Sequence, residues 1–124
     1  MKHIASIVVV MLAVLFAPVT MNAQKAKLDT VRIKTSAECT MCKSKVEKEV
    51  GLMKGVKSVN VDLTTQIATV VYNNTKTEPA KIRTVISNAG YDADDVKANN
   101  RAQKKLPACC QPGADQKNCD SVPK

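Results

Sequence analysis

Between residues 30 and 97 the spacing of apolar side chains switches repeatedly between two and three-to-four, and that order restricts the chain to few folds. In Thr30 to Thr35, Val31 and Ile33 alternate with polar residues, as in a short strand. From Thr40, the residues Cys42, Val46, Val50 and Met53 recur at helical spacing, with Lys43, Lys45, Glu47 and Lys48 on the wet side and Gly55 as terminator. Val56 to Leu63 alternates through Val59, Val61 and Leu63, and Thr64-Thr65-Gln66 joins it to a β-rich run from Ile67 to Tyr72, as in a hairpin. Thr77 is the expected N-cap of a second helix, with Glu78 and Pro79 in its first turn and an apolar stripe of Ile82, Val85, Ile86 and Ala89. Gly90 stops that helix, and Tyr91 to Lys97 is expected as a last strand. The order βαββαβ predicts an α+β, ferredoxin-like fold: a four-stranded antiparallel sheet with two helices on one face.

The ends carry different signals. Lys2 and His3 precede an almost unbroken apolar run from Ile4 to Val19, and Ala23 offers a cleavage point, so residues 1–23 are expected to be a signal peptide. The chain is then exported to the periplasm or outside the cell, or is membrane-anchored where the signal is kept. Residues 24–29 form a polar lead-in, and 98–124 a cysteine-containing, mostly irregular tail. The 19 basic and 11 acidic residues give a net charge of +8. The charge forms no block, and only Tyr72 and Tyr91 are aromatic past Phe16, which argues against a nucleic-acid partner. The one histidine is His3, so the remainder has no imidazole for catalysis or metal binding.

Chemistry therefore rests on sulfur. Cys39-Thr40-Met41-Cys42 lies where the first strand gives way to the first helix, and the helix N-terminus stabilises a thiolate there. Two soft thiolates suit Cu(I), Hg(II) or Zn(II) and do not suit Ca or Mg. The same spacing also fits a structural disulfide or a thiol–disulfide redox pair. Around this motif the chain resembles the heavy-metal-associated domain, the module of bacterial copper chaperones, metal-pumping ATPases and the periplasmic mercuric-ion-binding protein. The matching residues are Cys39 to Cys42, Val46-Glu47, Gly55-Val56-Lys57-Ser58-Val59, Ala68-Thr69-Val70-Val71-Tyr72, Ile82, Ile86 and Gly90-Tyr91-Asp92-Ala93. The resemblance covers residues 30–97. It implies a two-cysteine site on a surface loop, with Cys39 and Cys42 as ligands and Cu(I) as the leading ion, Zn(II) or Hg(II) as alternatives.

Other site residues follow from the same resemblance. The family's usual Gly-Met before the first cysteine is Ser36-Ala37 here, which implies a less anchored loop. Glu38 stands where zinc-handling members place an acidic ligand, though the reading as a solvated carboxylate at a helix start is favoured. Tyr91 corresponds to a tyrosine that shields the metal loop, with plain packing against the helix ends as the alternative, and Met41 between the cysteines is a candidate accessory thioether. Cys109, Cys110 and Cys119 lie beyond the resemblance. They fit either a second soft-metal site or a disulfide closed with Cys119. The few apolar residues around them predict a tail dispensable for the fold.

The function expected is that of an exported, monomeric metallochaperone. It takes no substrate and catalyses no reaction, and it passes its ion by ligand exchange to a metal transporter or the metal-binding domain of a P-type ATPase. The alternatives are a thiol–disulfide oxidoreductase and a disulfide-stapled interaction module.

Overall fold

Three strands meet in one antiparallel sheet: β1 (Leu28–Lys34), β2 (Val56–Asp62) and β3 (Ile67–Asn73), in the order β1-β3-β2. The computed structural model describes residues 27–113; the expected signal peptide and Cys119 lie outside the described residues. The hairpin places β2 on one side of β3, and β1 takes the other. Their register sets Ile33 and Val61 on either side of Ala68, so a small central side chain is flanked by two larger ones. Ala68, Val70 and Tyr72 are buried on one face of β3, while Ile67, Thr69 and Val71 between them are half-buried.

Two helices, α1 (Thr40–Gly51) and α2 (Pro79–Asn88), deliver Val46, Val50, Ile82 and Ile86 to the same core as Ile33, Val61 and Val70, all fully buried. The helix α1 stops at Gly51, short of Gly55, with the Leu52 amide donating to the Lys48 carbonyl. Gly55 instead makes the turn into β2 at φ +97°, where a Cβ would stand 2.7 Å from Cβ of Lys76. Because Pro79 is the first residue of α2, its N-cap falls on Glu78 rather than Thr77. Glu47, expected simply on the wet face, accepts a 2.9 Å hydrogen bond from the Val61 amide and ties α1 to β2.

The fourth strand expected over Tyr91 to Lys97 is not formed, so the sheet among the described residues has three strands, not four. Ala93 makes single bridges to Thr35 and Val96, and the chain reverses between them through Asp94 at φ +54°. A tight turn leaves no extended run to pair along β1. Asp94 occupies that edge instead: its Oδ1 accepts from the Lys34 amide at 2.8 Å, and its own amide donates to the Lys34 carbonyl at 2.8 Å.

The Arg83 Nε also donates to Asp94 Oδ2 at 2.8 Å. Partial burial acts to raise the Asp94 pKa, but the Arg83 and Lys34 hydrogen bonds outweigh it and hold the carboxyl below its usual range. Such a group contributes stability above the unfolded carboxylate pKa and loses it as pH falls through the lowered native value. Asp94→Asn, which tolerates the positive φ, is expected to cost about 1 kcal/mol at pH 7. Urea unfolding at pH 7 and pH 3 checks this. The gap between variant and parent should narrow in acid, and a gap of constant size would contradict it.

The segment after residue 97 is less irregular than its composition implies. A short helix, α3 (Asn100–Lys104), is capped by the Asn99 side chain, and a 3-10 turn spans Ala108–Cys110. Leu106 and Cys110 join the buried core. The docking of Leu106 depends on Gly90 at φ +101°, because a Cβ there would meet Leu106 Cδ1 at 3.0 Å and the Gln103 backbone at 3.2 Å.

Candidate metal centre

The strand β1 ends at Lys34, and Thr35 donates its amide to the Gln66 carbonyl at 2.8 Å, which fixes the start of the loop. Ala37 is fully buried two residues before Cys39. Cys39 is the N-cap of α1, with extended backbone, and its Sγ accepts from the Cys42 amide at 3.2 Å. A side-chain acceptor at this position satisfies one of the orphan amides of the first turn. Cys42, in that first turn, is joined to Cys39 by a disulfide.

The third sulfur comes from the C-terminal segment. Cys110 Sγ lies 3.6 Å from Cys39 Sγ, across a sequence separation of 71 residues. The Sγ atoms of Cys39, Cys42 and Cys110 all lie within 4.8 Å of one another, and the three residues are buried. Cys109 sits beside them, its Sγ 3.8 Å from that of Cys110 and 3.9 Å from Met41 Sδ. The expected surface loop is thus a covered site: Cys39 is 5 % exposed and Cys42 only 2 %. The 3-10 turn of the docked segment, which carries Cys109 and Cys110, packs against it.

Of the remaining residues named from the sequence, Glu38 is exposed and accepts from Gln66 Nε2 at 3.3 Å, and it is not a member of the three-sulfur cluster. Met41 is half-buried and touches Cys109 rather than the Cys39–Cys42 pair. Tyr91 is 1 % exposed, and its hydroxyl lies against the Cys110 thiol. Burial, then the charge of Cys110, pushes the Tyr91 pKa well up, so the phenol stays protonated. Burial likewise raises the Cys110 thiol, reinforced by Cys109, while Tyr91 and Lys45 act to lower it. A cavity of about 110 Å³ beside this pair is lined by Glu38, Tyr91, Cys109 and Cys110 among others.

A thiol set at the mouth of a helix, on a strand–helix junction, with no imidazole or carboxylate among its members, defines a class of small α+β modules suited to soft ions. Residues 35–92 match the family model of the heavy-metal-associated domain. A copper-exporting P-type ATPase of Staphylococcus aureus is 42% identical over 69 residues, which are 56% of this chain but 8% of that protein. Among solved structures, oxidised MerP from Ralstonia metallidurans is 28% identical with a TM-score of 0.53, over 55% of this chain and 96% of its own. The CopZ metallochaperone is 27% identical with a TM-score of 0.51, over 52% and 98%.

Proposed function

We propose that the chain is an exported metallochaperone that holds one soft ion, Cu(I) foremost, through Cys39 and Cys42. It hands that ion by ligand exchange to a metal-binding domain such as that of a P-type ATPase. The single observation that carries this reading is the all-sulfur cluster at the N-terminus of α1, inside the segment that matches the heavy-metal-associated domain. Thiolates favour Cu(I), and the copper-exporting ATPase and CopZ among the similar proteins support the same ion. Export is supported by Lys2, His3 and the apolar run from Ile4 to Val19. The protein acts as a monomer and makes or breaks no bond in a substrate.

Loading requires that an external dithiol first reduce the Cys39–Cys42 disulfide, giving it two electrons and two protons and itself closing to a disulfide; binding the ion to the two thiols then releases the protons. The test is native mass spectrometry of the reduced chain with Cu(I), Zn(II) and Hg(II), followed by transfer to the soluble metal-binding domain of a copper ATPase. One Cu(I) per chain, moving to the acceptor on mixing, is expected. A second reading, thiol–disulfide exchange, is favoured by the Cys110 sulfur lying 3.6 Å from Cys39 of the disulfide. Sustained turnover in insulin reduction with no retained ion would establish that reading instead.

A further inference from the structure

We infer that Cys110 is a third ligand of the metal centre, so that the C-terminal segment of this chain turns a two-cysteine motif into a three-thiolate site. This rests on the soft-metal reading above and adds the coordination number.

Geometry is the first ground. An ion bound about 2.3 Å from each of three thiolates holds the sulfurs roughly 4 Å apart. Cys110 already stands 3.6 Å from Cys39, within a triangle no wider than 4.8 Å. Once the Cys39–Cys42 bond is reduced, those two sulfurs need only separate in place for the ion to enter between all three.

The second ground is that Cys110 is built into position. Ser87 Oγ donates to the Lys97 carbonyl at 2.7 Å, and the Asn99 amide donates to the Ser87 carbonyl at 2.9 Å, which pins the start of the segment to α2. Leu106 is then buried over Gly90. The Gln111 side chain closes on the Leu106 carbonyl at 3.1 Å, and the Cys110 amide donates to the Pro107 carbonyl at 2.8 Å. A turn held at both ends fixes where the Cys110 sulfur points.

The third ground is Tyr91. Its buried hydroxyl lies against the Cys110 sulfur. A metal-bound Cys110 thiolate is a stronger acceptor for that O–H than the neutral thiol, so the phenol is placed to favour the ligand form.

The test uses the full-length reduced chain loaded with one equivalent of Cu(I), and X-ray absorption to count the sulfurs around copper. Three are expected in the parent and two in Cys110→Ser, with at least about a tenfold rise in the Cu(I) dissociation constant against a competing chelator. Cys109→Ser and Cys119→Ser should keep three. Two sulfurs in the parent, or three retained in Cys110→Ser, would overturn the inference while leaving the two-cysteine reading intact. Failure of that reading has its own signature: no bound copper in the parent, or undiminished binding when Cys39 and Cys42 are both replaced.

Discussion

Replacing Cys39 and Cys42 together by serine is expected to abolish tight soft-metal binding, raising the Cu(I) dissociation constant by at least about a thousandfold, or roughly 4 kcal/mol. The two sulfurs share one helix N-terminus, where the Cys42 amide already donates to Cys39 Sγ at 3.2 Å. No other pair in the described residues combines a fixed spacing with that favourable field. With both gone, the cluster retains only Cys110. The fold should survive the change. Serine is a good N-cap, so Cys39→Ser keeps an acceptor for the Cys42 amide. Cys39, Cys42 and Cys110 belong to the buried cluster, but Ile33, Val46, Val50, Val61, Val70, Ile82 and Ile86 are fully buried aliphatic side chains that pack without an ion, so the domain is expected to fold unmetallated, unlike a zinc finger. Chelator competition measures the affinity and circular dichroism the fold. Near-parental affinity in a folded double variant would mean that the site is elsewhere.

Leu106→Ala is expected to cost about 2–4 kcal/mol, and truncation after Lys97 at least as much. For a domain of this size that is a fall in thermal midpoint of roughly 10–20 °C. Leu106 is 4 % exposed, and its removal leaves a hole over Gly90 that the rigid ends of α2 and α3 cannot close. Gly90→Ala attacks the same contact from below, since it adds a Cβ at φ +101° only 3.0 Å from Leu106 Cδ1. Thermal unfolding of the reduced parent, both point variants and the truncation checks this. A truncation that melts within a degree of the parent would restore the expectation of a dispensable tail.

That expectation shows where reading by composition fails. Counting apolar residues after 97 gave too few to matter, yet one leucine in the right place is enough to dock a segment on a small domain. The strands and helices were legible because each has its own period. Val31 and Ile33, or Val46 and Val50, declare a face without reference to anything distant. The fourth strand failed for a local reason that a propensity scan does not weigh. Asp94 adopts a positive φ, folds Ala93 back towards Val96, and spends its side chain on Lys34 and Arg83.

The candidate metal centre divides the same way. Sequence by itself determined the two thiols at 39 and 42, their place at a strand–helix junction, and the soft character of any ion they take, because spacing and ligand type are local properties. It also named Cys109 and Cys110, but not what they approach. Only the tertiary structure decided that Cys110 meets Cys39, that the site is covered, and that Glu38 turns to Gln66. Contacts across 71 residues depend on how Gly90, Leu106 and the turn at Cys110 pack together, and packing is a property of the assembled surfaces rather than of any one segment.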